Sequence, residues 1–124
     1  MNIIKCYDVV SMIITEATER FKPLWKINTE KQDVLKEYCE AIDEIAAEFE
    51  GVSFNVEVNE ITMEVKIDVE CGEIVIKSKE HRLYDLAERA TRFGVSAIDG
   101  ETQVVKFVFP SIWDKVKYYK HYLG

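Results

Sequence analysis

Between residues 52 and 70 apolar and polar side chains alternate almost without interruption. Val52, Phe54, Val56 and Val58 are interleaved with Ser53, Asn55, Glu57 and Asn59. Ile61, Met63, Val65, Ile67 and Val69 are then interleaved with Thr62, Glu64, Lys66, Asp68 and Glu70. A period of two puts alternate side chains on opposite faces of a strand, and an α-helix cannot do so. The segment therefore predicts antiparallel strands with one dry face and one wet face. A two-residue turn at Asn59–Glu60 would pair Val58 with Ile61, Val56 with Met63 and Phe54 with Val65, keeping the apolar residues together. A second turn at Cys71–Gly72 would pair Val69 with Ile74 and Ile67 with Ile76.

A dry sheet face needs a cover, and the flanking sequence supplies amphipathic helices. Over residues 8–22, Val10, Ile14, Ala17 and Phe21 share one face, with Asp8 placed to cap the start and Pro23 to stop the segment. Leu24, Trp25 and Ile27 form an apolar connector. From Thr29, whose spacing to Gln32 suits a capping box, Leu35, Tyr38, Ile42, Ile45 and Phe49 form a stripe that ends at Gly51. A third helix is expected from Ser78, with Leu83, Leu86, Ala90 and Phe93 buried and Gly94 as its stop. Val95–Ile98 reads as a short strand, Asp99–Gly100 as a hairpin turn and Thr102–Phe109 as a strand. That strand is apolar on both faces except at Lys106, which suits a central position. Ser111 and Asp114 carry a capping signature for a last helix, with Ile112, Val116, Tyr119 and Leu123 on one face.

The expected fold is α+β, a mainly antiparallel five-stranded sheet with helices on one face, in the order α-α-β-β-β-α-β-β-α. Residues 1–124 read as a single domain, with 1–28 a helical extension and 29–124 the core. From Thr29 the order α-β-β-β-α-β-β-α resembles the fold shared by class I type III secretion chaperones and YbjN-type domains. The resemblance covers about three-quarters of the chain as an order of elements and implies a chaperone- or adaptor-like role.

Charge narrows the partners. Sixteen basic residues face 23 acidic ones, a net charge of −7. Residues 30–70 carry thirteen acids against three bases, whereas residues 101–124 carry two acids against four bases. An acidic body repels phosphate backbones, so duplex nucleic acid is not expected as a partner. The longest apolar run, residues 9–14, is broken by Ser11 and far short of a membrane span, so no membrane association is expected. With no export signal read at the start, the expected location is the cytoplasm. Cys6, Cys39 and Cys71 are an odd number at long spacing, which suggests reduced structural thiols rather than a disulfide framework or a metal site.

No motif for nucleotide, metal or nucleophilic chemistry occurs. Glu64 and Asp68 would lie roughly 13 Å apart along one strand, too far to act together on one bond. His81 has Asp85 one helical turn away, the spacing of a local ion pair. No catalytic, cofactor-binding or metal residue is nominated, and no cofactor is expected. The expected function is a small non-enzymatic protein-binding or chaperone-like module, with a homodimer or another protein as partner. Its contact residues would be Trp113, Tyr118 and Tyr122 on the last helix, then Glu64, Lys66 and Asp68 on the wet sheet face. Two alternatives are a small enzyme or ligand-binding domain with a helix–sheet pocket, and a single-stranded nucleic-acid binder that uses the C-terminal aromatics and lysines.

Overall fold

In a computed structural model the described residues are 5–22, 24–47, 52–71, 82–97, 100 and 102–116. Their elements run α1 (Cys6–Phe21), β1 (Trp25–Ile27), α2 (Thr29–Ala46), β2 (Ser53–Val58), β3 (Val65–Cys71), α3 (Arg82–Arg89), β4 (Arg92–Ala97), β5 (Gln103–Phe109) and β6 (Trp113–Lys115). The fold is α+β. Strands β2-β3-β5-β4 form one antiparallel sheet, and β1 pairs with β6 in a separate two-stranded antiparallel sheet. No helix among the described residues is long and apolar enough to cross a membrane.

The dry face forms the core, as the alternation requires. Val56, Val65, Ile67, Val69, Val105, Phe107 and Phe109 are buried from the sheet side. Cys6, Val10, Ile14 and Ala17 of α1, Leu35, Cys39 and Ile42 of α2, and Leu86 of α3 meet them. The α1 and α2 sets recur at three- and four-residue spacing, so each of these helices presents one stripe. Tyr38 of α2 stacks on Phe109 at 4.8 Å between ring centroids, which fastens that helix across the end of β5.

Neither α1 nor α2 is capped by the residue its sequence suggests. Asp8 lies inside the first turn of α1. The free amides are met instead from α2, whose Asp43 carboxylate accepts from Cys6 N–H at 2.6 Å and Tyr7 N–H at 3.5 Å. For α2 the cap is Asn28, one residue before Thr29, and its Oδ1 accepts from Lys31 N–H at 3.1 Å.

The β2–β3 hairpin keeps the expected parity and changes the expected register. Val58 pairs with Val65, Val56 with Ile67 and Phe54 with Val69. The shift is four residues, an even number, so every side chain stays on its expected face. Residues 59–64 form a loop in place of the two-residue turn. Asn59 Oδ1 accepts from Ile61 N–H and Thr62 N–H, and the Asn59 carbonyl accepts from Met63 N–H. Met63 adopts φ 63°, costly for a side chain with a Cβ, and in return its side chain is buried. Ile61 is 93% exposed. Burying the Met63 thioether at the end of the core outcompetes the tight turn, which would have put Met63 opposite Val56 inside the ladder.

The expected third meander strand cannot pair with β3. Both edges of β3 are occupied, by β2 on one side and β5 on the other from Val65↔Phe109 to Cys71↔Gln103. Pairing of Val69 with Ile74 and of Ile67 with Ile76 is replaced by Val69↔Val105 and Ile67↔Phe107. Residues 72–81 lie outside the described residues. The main sheet thus has four strands among those described, rather than five, and β5 is central as its two apolar faces suggest.

The third helix ends at Arg89, before the expected Phe93, and Gly94 is a strand residue. Phe93 sits in β4 directly opposite Phe107, their rings 5.2 Å apart. Its spacing satisfied both a helical stripe and the alternation with Val95, and the ladder to β5 decides between them. At the next turn Gly100 has φ +86°, but Ala97 pairs with Gln103, one residue later than a two-residue Asp99–Gly100 turn would allow.

The expected last helix does not start at Ser111. Ile27 pairs with Trp113, Lys26 with Asp114 and Trp25 with Lys115. Trp113 is 2% exposed, donates its indole N–H to Thr18 Oγ1 at 2.9 Å, and meets Phe21 edge-on. The Ser111 hydroxyl accepts from Trp113 N–H, and Asp114 bonds Asn28 at 2.7 Å and Lys31 at 2.9 Å. The capping signature is spent on a turn and on holding the start of α2. A large indole gains far more from a dry site against α1 than from the exposed side of a helix.

Candidate functional site

The sheet face turned away from the helices collects the polar residues of four strands. Register places them in three rows. Glu57, Lys66, Val108 and Arg92 form the first; Asn55, Asp68, Lys106 and Gly94 the second; Ser53, Glu70, Val104 and Ser96 the third. Glu64 lies just before β3 and reaches the same edge.

Charges on this face are matched in part. Lys66 Nζ lies 3.0 Å from Glu57 and 3.8 Å from Asp68, and Arg92 lies 3.3 Å from Glu64. The Lys66 hydrogen bond holds the Glu57 carboxyl below the usual glutamate range. The same bond raises Lys66 above the usual lysine range. Both groups are open to water, so the pair adds little to stability. Asp68 differs. Its Oδ2 faces Lys66, while its Oδ1 is buried and finds no hydrogen-bond partner among the described residues. Lys106, its cross-strand neighbour, is exposed and pairs with no described carboxylate. Beside these charges sit two nearly buried apolar residues, Val104 and Val108, at 9% and 7% exposure. A cavity of about 260 Å³ at one corner is lined by Glu57, Val58, Asn59, Glu64, Lys66, Arg92 and Val108.

No family model, curated protein or solved structure matches this chain.

The structure brings together the sequence-nominated Glu64, Lys66 and Asp68. It separates them from Trp113, which belongs to the fold's interior. Tyr118 and Tyr122 lie outside the described residues, as does His81. Arg92 and Lys106 complete the charged surface and were missed. Arg92 falls inside the helix expected to reach Phe93, whereas it starts β4. Lys106 was visible as the one charge in an apolar strand, but the sequence alone did not show that it would stand beside Asp68.

Between α2 and the link from β5 to β6 a groove of about 230 Å³ is lined by Lys31, Val34, Leu35, Tyr38, Phe109, Pro110, Ser111 and Ile112. Among the described residues its lining holds no carboxylate, thiol or imidazole. Among the described residues no group of three or more His, Cys, Asp or Glu could hold a metal ion.

Proposed function

We propose that this chain is a protein-binding module that self-associates through the polar face of its four-stranded sheet. The observation that carries the proposal is the central pair of that face. Among the described residues Asp68 has one oxygen without a hydrogen-bond partner, and Lys106, next to it across the ladder, is exposed and forms no ion pair with a described carboxylate. A two-fold axis running between β3 and β5, parallel to the strands, sets β3 of one copy over β5 of the other. Asp68 then meets Lys106 of the second copy, and Lys106 meets the second Asp68, so one contact is made twice. Sheets that pack face to face lie about 10 Å apart, a span that a lysine and an aspartate side chain bridge together. Val104 and Val108 give such a contact an apolar centre, with Glu57, Lys66, Glu64 and Arg92 at its rim. A chaperone- or adaptor-like role, expected from the element order read in the sequence rather than from the observed one, would use the same face.

Sedimentation equilibrium of the reduced protein at micromolar concentration tests this. The expected particle has twice the 14.4 kDa chain mass. Asp68→Lys or Lys106→Asp should each weaken association by at least about tenfold, because each places like charges together. The double exchange should restore it. A single-chain particle throughout would overturn the proposal, and so would a double exchange no better than either single change.

A further inference from the structure

We propose that Cys6 and Cys39 form a modification site, in which a peroxide closes a reversible disulfide that ties the start of α1 to the middle of α2. This inference is independent of the sheet face.

The two cysteines are 33 positions apart in sequence and meet in the fold. Cys6 is the first residue of α1, Cys39 lies on the buried stripe of α2, and both are 0% exposed. Both belong to one buried cluster, on the facing stripes of the two helices. Asp43 stands one helical turn beyond Cys39 and accepts from the Cys6 amide at 2.6 Å, so the backbone at Cys6 is pinned against that part of α2. Cys71 is held apart at the end of β3, with its thiol directed at the Gln103 carbonyl at 3.7 Å.

The surroundings also set when the pair can react. A cysteine in the first turn of a helix is ordinarily activated by the free amides there. Here Asp43 takes those amides and adds negative charge. The Cys39 contact, burial and the nearby carboxylate together push the Cys6 thiol far above the usual range. The docked pair is therefore unreactive, and reaction requires the first turn of α1 to open locally. Once Cys6 is exposed as thiolate, its sulfur attacks hydrogen peroxide, which gives a sulfenic acid and, after proton uptake, water. The Cys39 sulfur then displaces the sulfenic oxygen, forming the S–S bond and a second water. Two thiols and one peroxide become one disulfide and two waters, and a dithiol reductant reverses the change.

The test is to expose the reduced, full-length chain to hydrogen peroxide, denature it, alkylate it and map it by mass spectrometry. The expected product has lost two hydrogens, carries one alkylated thiol instead of three, and yields a Cys6–Cys39 cross-linked peptide. Its melting temperature should rise by roughly 5–10 °C over the reduced form, because the bridge constrains the unfolded chain. Cys71→Ser should form the same cross-link. Asp43→Asn should form it faster, since the amides at Cys6 are then shared with a neutral acceptor. Three alkylatable thiols after peroxide treatment of the folded chain would overturn the proposal. So would a cross-link through Cys71, or stable oxygen addition at Cys6 with Cys39 still alkylatable.

Discussion

The two faces of β5 carry nearly the same kind of residue and do different work. Val105, Phe107 and Phe109 point toward the helices and are buried to 1% exposure or less. Val104 and Val108 point the other way and are nearly buried among Lys66, Glu70, Arg92 and Ser96, with no helix of the described core beside them. The first set is held by α1 and α2 and contributes to folding. The second lies among charged neighbours on the polar face, the face proposed for self-association. Apolarity alone does not say whether a residue stabilises a fold or an encounter; the opposing layer does.

Truncation of the helix-side face should have the largest effect. Phe107→Ala removes a fully buried ring that contacts Phe93 and Phe109, and should cost about 3–5 kcal/mol in urea denaturation. Val108→Ala on the other face should cost about 1 kcal/mol. Equal losses would show that both faces are core.

Next is the indole against α1. Thr18→Val leaves the Trp113 N–H without its acceptor and should cost about 1–3 kcal/mol. An unchanged denaturation midpoint would mean that Trp113 is not anchored there. Asn59→Ala removes an acceptor of two loop amides and should cost about 1 kcal/mol, since those groups are exposed and water replaces it in part. A loss of stability from Ile61→Ser, by contrast, is not expected, because Ile61 stands in water.

The smallest effects distinguish the faces by the sign of their pH dependence. On the helix side, burial holds Asp43 above the usual aspartate range despite its two amide bonds. The folded chain binds that proton more tightly than the unfolded chain. The cost of the buried charge is therefore present above the raised value and disappears as pH falls below the ordinary one. Glu57 has the opposite sign. Its stabilisation is present above the ordinary glutamate range and is lost as pH falls through its lowered value. Exposure limits it to about a few tenths of a kcal/mol, and Glu57→Gln should remove it. Carboxylate titration by NMR, with Asp43 above and Glu57 below their ordinary values, checks both signs. At the buried end of β3, Cys71 should titrate near 11, where burial places it, as followed by thiolate absorbance.

Legibility followed the range of the interaction. The alternation at residues 52–70 fixed strand type and side-chain face, and it survived a register shift of four because that shift is even. The stripes of α1 and α2 likewise placed Val10, Ile14, Ala17, Leu35 and Ile42 in the core, but left out the buried Cys6 and Cys39. Signals with two local solutions failed. Phe93 fitted a helix and a strand, and Ser111 with Asp114 fitted a cap and a turn. Half of the candidate face was visible as Glu64, Lys66 and Asp68, which alternate along one short segment. Arg92 and Lys106 required knowledge of which strand lies beside which.

By itself the sequence determined the class of the fold, the dry side of its strands and the central place of β5, because hydrophobic period and chain direction are local properties. Tertiary structure alone decided that β5 rather than a third meander strand lies beside β3. It also decided that Trp113 is interior, that Asp68 stands beside Lys106, and that Cys6 meets Cys39. Each of these brings together residues at least 32 positions apart, and no short-range pattern records which distant surface buries a side chain best.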